Sequence, residues 1–213
     1  MKVAPLSSEA FNLVTVGSWN PAIFSPEWAK QHLADNKEQD VVLAIPMHLP
    51  MGVPRLTVDS INICPSPQSL VMDCVQYSDE NIDVCVARLH KIVSLLPHTP
   101  TSGIGINFRF VGSSAENEQI AELFAFSDAA KINAEIYNLS SSLIRRSYAL
   151  SDASTMNLTI DSTGDKLRFE FNFHSDVRKL SDVAEKTNTE RIHKLHDQAI
   201  KFLSDVYQLE LET

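Results

Sequence analysis

Two stretches of the chain repeat apolar residues with the three- and four-residue spacing of an amphipathic helix. The first follows Ser78 and Asp79, either of which can cap a helix, and stops at Pro97. The second begins at Thr187 or Thr189. The spacing predicts two long helices, each with one face against a core. Their apolar positions are Ile82, Cys85, Val86, Leu89, Ile92, Val93 and Leu96 in the first, and Ile192, Leu195, Ala199, Phe202, Leu203 and Val206 in the second.

Two shorter helices are also predicted. One begins at Ser25, with Pro26 in the first helical position, where the N–H that proline lacks would have no helical partner. The other extends from about Glu116 through Ile120 to Phe124. Each follows a predicted strand.

Alternation of apolar and polar residues predicts the strands. It is clearest in 167–173, where the apolar residues share one face and Arg168, Glu170 and Asn172 share the other. The segment before it alternates in the same way, and 161–165 predicts a hairpin turn, so these two strands form an antiparallel pair with one solvated face. Further strands are predicted at Phe11–Val16, Val41–Ile45, Leu56–Ile63, Leu70–Val75, Ile104–Phe110 and Leu143–Leu150.

The predicted elements follow the order β, α, β, β, β, α twice, over about 11–97 and 104–207. Adding 110 to the residue numbers also aligns the apolar positions of the two long helices, such as Ile82 with Ile192. The matching order indicates an internal duplication into halves 1–100 and 101–213, within one compact structural unit. We therefore predict an α+β fold with antiparallel sheets and long helices on one face, arranged as a saddle or as two lobes.

The order of elements is similar to that of the saddle of TATA-box-binding proteins and, less closely, to helix-grip folds. No sequence motif of either group is present. The resemblance therefore concerns topology, and function has to be argued from a site.

Composition excludes several classes of function. Hydrophobic residues make up 44% and charged residues 21%, which is typical of a chain that folds around its own core. Six glycines in 213 residues leave no room for glycine-rich phosphate loops or flexible linkers. The net charge of −9 is spread evenly along the chain, without the clustered Lys and Arg that bind nucleic acid. We expect no nucleic-acid partner.

The chain is expected to be a soluble cytoplasmic protein that does not enter a membrane. The longest apolar run, Val41–Ile45, is far shorter than a membrane-spanning helix, and the N-terminus has no apolar stretch typical of a signal peptide. The three cysteines, Cys64, Cys74 and Cys85, are odd in number and have no C-x-x-C spacing. This favours reduced thiols and no disulfide.

No local motif predicts a cofactor. Residues 102–107 contain G-x-G, but the third glycine of a dinucleotide fingerprint is missing and the segment continues as a strand. We interpret Gly103 and Gly105 as small residues where a neighbouring side chain or backbone approaches. No P-loop, G-x-S-x-G or H-E-x-x-H motif is present. An enzyme is therefore less favoured than a binding protein, and no catalytic residue is assigned.

Histidines and cysteines offer only weak candidates for a reactive site. His193 and His196 are three residues apart on the last helix, and could hold a metal only with a third ligand such as Asp197 or His174. The alternative is two surface histidines, and we predict no metal site. Cys64 is the most exposed candidate nucleophile, because the other cysteines lie in apolar segments.

The first candidate for partner binding is the segment from Trp19 to Trp28. It holds Trp19, Phe24 and Trp28 within ten residues, beside two prolines. Tryptophan in such a loop is a frequent interface anchor. The competing interpretation is a satellite core in which Phe24 packs at the start of the helix and Trp28 points inward.

The second candidate is the loop Ile45–Pro54, with prolines four residues apart and almost no charge. A loop this apolar has to be covered, either by the protein's own core or by a second subunit or partner. Its apolar candidates are Met47, Leu49, Met51 and Val53. On this basis we predict a non-enzymatic interaction or assembly protein that binds a protein partner or itself, as a homo-oligomer.

The alternative is a small-molecule-binding protein or enzyme that uses a cavity between a curved sheet and a long helix. Its candidate residues are Arg145, Arg146, Phe171 and His174. Arg145 and Arg146 are neighbours in a strand, so they should point to opposite faces of the sheet.

Overall fold

The computed structural model describes residues 2–6, 9–36, 38, 40–45, 53–113, 120, 123–124, 131–132, 136 and 139–212. Among these residues no helix combines the length and apolar character needed to cross a bilayer. In chain order the elements are β1 Lys2–Pro5, β2 Phe11–Gly17, α1 Pro26–His32, β3 Val42–Ala44, β4 Arg55–Val58, β5 Ile61–Pro65, β6 Ser69–Cys74, α2 Asp79–Leu95, β7 Thr101–Ser113, β8 Ser141–Ala149, β9 Thr155–Thr163, β10 Lys166–Asp176, α3 Leu180–Lys186, α4 Thr189–Tyr207 and β11 Glu210–Leu211.

The strands form one sheet in the order β3-β4-β5-β6-β2-β7-β10-β9-β8. Every neighbouring pair along this order is antiparallel, and β2 and β7 form the central pair. β1 adds to β7, and β11 pairs with β1 in parallel. The predicted α+β class with an antiparallel sheet is confirmed.

The two faces of the sheet differ because alternate residues of each strand point to opposite sides. One face, the covered face, carries the fully buried apolar residues of the strands and packs against α2 and α4. Aromatic rings fill this layer: Phe171 lies 5.9 Å from Phe202 of α4, and Phe108 lies 5.1 Å from His196. The other face, the open face, carries the polar residues of the same strands.

The helix starts follow the predicted capping chemistry. The hydroxyls of Ser78 and Ser25 accept backbone N–H bonds at 3.2 and 3.1 Å, and so cap α2 and α1. α4 begins at Thr189, one of its two predicted starts, and is capped by Asn188, whose side-chain oxygen accepts a backbone N–H at 2.8 Å. Thr187 is buried and donates to the backbone carbonyl of Val183 at 2.7 Å, so its hydroxyl is already engaged.

The single strand predicted at Leu56–Ile63 is wrong. This segment is a hairpin of β4 and β5, in which the turn contains Asp59 in the left-handed conformation with a φ of 54°. Asp adopts that conformation more readily than most residues, so the turn needs no glycine. The helix predicted from Glu116 lies largely outside the described residues. The sequence patterns did not predict β1, α3 or β11.

Candidate functional site

Polar side chains form one row across the open face, which we call the polar row. Each member is the register partner of the next, so the row crosses eight consecutive strands at the same level. In sheet order its members are Thr57, Asn62, Asp73, Asn12, Asn107, Asn172, Asn157 and Ser147.

Hydrogen bonds join the members of the row on the side of the first half. Thr57 Oγ1 donates to Asn62 Oδ1 at 2.8 Å, and Asn62 Nδ2 donates to Asp73 Oδ1 at 2.6 Å. Asn62 is buried, and these two hydrogen bonds hold its amide in place. The carboxylate of Asp73 thus has a fixed position on the open face.

The rest of the row is built in the same way, from a serine hydroxyl followed by amides. Ser147 Oγ donates to Asn157 Oδ1 at 2.7 Å, and Asn157 Nδ2 donates to Asn172 Oδ1 at 3.0 Å. Asn172 Nδ2 donates to Asn107 Oδ1 at 2.7 Å, and the amides of Asn107 and Asn12 meet at 2.6 Å. Side-chain networks of this kind polarise one another and restrict the geometry of every member.

Arg109 connects the row to an ion pair. Its Nη2 lies 2.8 Å from Oε1 of Glu170, and its Nη1 donates to the backbone carbonyl of Glu9 at 3.1 Å. When the Asn12 amide is turned, its oxygen accepts from Arg109 Nη1 at 2.8 Å. The neighbouring amides can turn with it, because each carries both donors and an acceptor. A guanidinium therefore stands at the centre of the sheet as a donor to the row.

The two glycines of the G-x-G segment make room for open-face side chains. A Cβ on Gly105 would lie 2.7 Å from Nδ2 of Asn172, and a Cβ on Gly103 would lie 2.8 Å from Cε1 of His174. The interpretation that small residues allow a close approach is confirmed. Gly105 is required because the polar row passes over it.

A groove of about 970 Å3 opens above the row on the side of the first half. Three arginines and three carboxylates line it, namely Arg55, Arg109, Arg168, Glu9, Asp73 and Glu170. Arg109 and Glu170 pair with each other, whereas the guanidinium of Arg168 makes no hydrogen bond or ion pair with any described residue. Four valines from the strands and the adjoining loops complete the walls: Val42, Val53, Val71 and Val75.

Burial in the groove raises the pKa of a carboxyl and of a thiol. Burial raises the pKa of the Asp73 carboxyl, against the opposing effects of the Asn62 hydrogen bond and of Arg55 and Arg109. Burial also raises the pKa of the Cys64 thiol, although its hydrogen bond with Arg55 acts in the opposite direction. A thiol with a raised pKa stays protonated at neutral pH and is a poor nucleophile. The groove is suited to hydrogen bonding and charge recognition.

The Trp19–Trp28 segment packs into the core, as in the competing interpretation. Trp19 and Phe24 are each only 5% exposed, and Trp19 Nε1 donates to the backbone carbonyl of Thr15 at 3.1 Å. The ring of Phe24 lies 6.3 Å from that of Trp19 and 5.3 Å from that of Trp28. Trp28 is half-buried against the same cluster. Since the rings of Trp19 and Phe24 are buried, these two residues are not surface anchors.

Three of the four apolar candidates in the Ile45–Pro54 loop, Met47, Leu49 and Met51, lie outside the described residues. Val53 is described; it is 41% exposed and lines the groove. The end of this loop therefore adjoins the polar row.

The four residues proposed for a ligand cavity lie on two different faces. Phe171 is fully buried in the covered face, where Nη1 of Arg146 also donates to the hydroxyl of Tyr207 at 3.2 Å. Arg145 and His174 lie on the open face, and His174 Nε2 is 3.3 Å from the carboxylate of Asp176. Arg145 and Arg146 point to opposite faces as predicted, but the four residues do not line one cavity.

His193 and His196 have separate partners. His193 Nε2 lies 2.9 Å from Oδ1 of Asp83 on α2, whereas His196 Nε2 lies 2.7 Å from the hydroxyl of Tyr77. Burial lowers the pKa of His196, so its ring is neutral among the aromatic rings of the core. Within the described parts of the chain, no three His, Cys, Asp or Glu side chains come together as a metal site.

Sequence reasoning missed the polar row because each of its members reads as an ordinary solvated position in its own strand. The available signal was asparagine at the polar positions of several strands, a residue that is depleted in strands. The row becomes visible only when the register is known. Comparison of the chain with models of protein families gave no match, and comparison with curated proteins gave none either.

Proposed function

We propose that this chain is a non-enzymatic interaction protein that binds a polypeptide partner on the open face of its sheet. The observation that carries the proposal is the groove of about 970 Å3 above a row of mutually hydrogen-bonded side chains. Groups that are already held in place lose less conformational entropy on binding. The covered face, in contrast, is filled by the protein's own core.

The chemistry of the open face favours a polypeptide over other polymers. Apart from the imidazole of His174, no open-face position on the described strands carries an aromatic ring, whereas proteins that bind single-stranded nucleic acid stack its bases on several aromatic rings. The groove also offers charges of both signs, which does not suit a uniformly charged nucleic acid. Peptide groups match the amides of the row, and a polypeptide can carry both acidic and basic side chains.

We also propose that the two halves, 1–100 and 101–213, are a structural duplication about an axis between β2 and β7. The order of the sheet supports it, since β4-β5-β6-β2 on one side matches β8-β9-β10-β7 on the other. The polar row follows the same symmetry, with a hydroxyl donating to an asparagine at each outer end. Because the row crosses from one half to the other, the halves present one continuous surface.

The cysteines support a reducing compartment such as the cytoplasm. Cys64, Cys74 and Cys85 are all free thiols, and Cys74 and Cys85 are buried between β6 and α2.

A small-molecule ligand is the second candidate function, and the size of the groove favours it. Ligand pockets usually enclose about 300–1,000 Å3. The ligand would then bind in the groove beside Arg55 and Asp73. This site is on the open face, whereas the sequence analysis placed a cavity between the sheet and a long helix, on the covered face.

Selection of peptides tests the proposal. A displayed library of random peptides is selected on the wild-type protein, and the enriched peptides are then titrated against wild type, Arg55→Glu and the control Lys194→Glu on the exposed side of α4. We expect Arg55→Glu to weaken binding about tenfold or more, which corresponds to about 1.4 kcal/mol. Lys194→Glu should bind like wild type.

Failure to enrich any peptide, or equal binding to Arg55→Glu, would contradict the proposal. A parallel thermal-stability screen against metabolites addresses the second candidate. A metabolite that raises the melting temperature of wild type and not of Arg55→Glu would assign the groove to a small molecule.

A further inference from the structure

The two ends of the sheet differ in how their edges are protected. Among the described strands, β3 is the edge strand on the first half and β8 is the edge strand on the second half. On the β3 side, Val42 is 57%, Leu43 39% and Ile45 60% exposed, and Val41–Ile45 contains no charged residue. Natural edge strands are usually blunted by charges, prolines, bulges or very short length, because their unpaired backbone groups recruit other strands. Of these devices, β3 has only its short length of three residues.

We propose that β3 is a self-association edge, at which two copies of this chain pair antiparallel and join their sheets across a two-fold axis. Pairing centred on Leu43 would set Val42 of one copy opposite Ala44 of the other, and Val41 opposite Ile45. Every facing pair is then apolar. A contact of this kind is isologous, since the same strand serves both copies.

Charge favours this strand as the place where two copies meet. Each chain carries a net charge of −9, so two copies repel each other overall. Val41–Ile45 has no carboxylate, and Arg55 is the register partner of Ala44 on the adjacent strand β4. Pairing through β3 therefore brings two acidic proteins together at a segment without repulsion.

The opposite edge carries a device against self-pairing. Arg145 lies exposed in the middle of β8, with serines at Ser141 and Ser147 on the same face. Antiparallel pairing of β8 with its own copy about Arg145 would place two guanidiniums side by side, which is destabilising. Leu143 on this edge is 55% exposed, but its exposure does not outweigh the repulsion between the two guanidiniums.

Pairing through β3 also completes a wall of the groove. Val42 and Val53 line the groove at the outer end of the sheet, where the sheet stops. A second β3 beside the first would extend the open face past this end, so that the grooves of the two copies adjoin. Self-association at β3 and binding in the groove are separate events that share one surface.

The test is the molar mass in solution by light scattering, over a range of protein concentrations. Wild type should reach twice the mass of one chain, and the double variant Val42→Lys with Ile45→Lys should remain a monomer at the same concentrations. The matched control Leu143→Lys places the same charge on an equally exposed leucine of the other edge, and should dimerise like wild type.

Amide hydrogen exchange of the wild-type protein provides a second readout that needs no variant. The amides of Val42–Ile45 should become more protected as the protein concentration rises, whereas those of β8 should not. A wild-type monomer at every concentration, or dissociation by Leu143→Lys as complete as that by the β3 variant, would overturn the proposal. The peptide titrations of wild type and Arg55→Glu are carried out at concentrations where light scattering shows one and the same oligomeric state for both, so this inference and the proposed function can fail independently.

Discussion

The two faces of the sheet are made by the same strands and are built from different kinds of side chain. In β10, Phe171 points to the covered face and packs against rings of β7 and α4, while its neighbour Asn172 points to the open face and joins the polar row. The covered face is closed by apolar contacts among the protein's own residues. The open face satisfies its polar groups with one another and still leaves a groove above them.

Under the proposed function, this difference separates stability from recognition along each strand. Burial of large apolar side chains on one face supplies the main driving force for folding. The opposite face contributes less to stability, because its hydrogen bonds replace bonds to water. Substitutions at neighbouring residues of one strand should therefore have very different consequences.

The largest expected effect comes from the covered face. Phe171→Ala removes a fully buried ring and should lower the free energy of unfolding by about 3–5 kcal/mol. Urea denaturation of wild type and variant measures the difference. Phe171→Leu, which keeps most of the apolar volume, serves as the control and should cost clearly less. A loss below about 1 kcal/mol, the level of a surface change, would mean that this layer is not tightly packed.

The next effect arises where the open face comes closest to its own backbone. Gly105→Ala would put a methyl carbon 2.7 Å from Nδ2 of Asn172, so the amide has to leave its place in the row. We expect a loss of about 1–3 kcal/mol, as for other overpacked sites. In the Asn172→Ala background the same substitution should cost much less, because the obstructing amide is gone. Equal costs in the two backgrounds would exclude this contact as the cause.

The fold was largely predictable where a single period extends along a segment. The spacing in 79–95 and 189–207 predicts both long helices, and alternation predicts most strands. The hairpin of β4 and β5 was missed because Leu56, Val58, Ile61 and Ile63 all reach the covered face across a two-residue turn. Alternation resumes after such a turn almost without a break, so the pattern reads as one long strand.

The site was much less predictable, because it depends on register between distant strands. Asn12 and Asn107 are 95 residues apart, and their amides still meet at the centre of the sheet. Arg88 is a further example, since this buried cation of α2 binds Asp59 at 2.5 Å and Asp35 at 2.6 Å. Both partners come from turns, and no spacing along the sequence indicates that they converge.

A smaller effect is expected when a member of the row is removed without adding bulk. Asn172→Ala deprives the amides of Asn107 and Asn157 of their shared partner. Asn172 is partly exposed, so water can replace the missing amide. The free energy of unfolding should therefore fall by only about 1 kcal/mol. The same urea titration as for Phe171→Ala measures it. A cost as large as that of the neighbouring phenylalanine would remove the distinction between the two faces.

The smallest effect concerns the one carboxylate in the row, at the position where the other half carries Asn172. Burial raises the pKa of Asp73 above its value in the unfolded chain, so the folded protein favours the protonated form. The contribution of this group to the free energy of unfolding is complete below its unfolded pKa and is lost as the pH rises through its folded pKa.

Asp73→Asn keeps an oxygen that can accept from Asn62 and has no charge to bury. Its melting temperature should therefore exceed that of wild type at neutral pH, by the equivalent of less than about 1 kcal/mol for a half-exposed group. The difference should disappear in acid, where Asp73 itself is protonated. Asp165→Asn removes the same charge from the exposed turn before β10 and serves as the control for the loss of one carboxylate. An advantage of Asp73→Asn that is the same in acid and at neutral pH would mean that charge burial at Asp73 is not its cause.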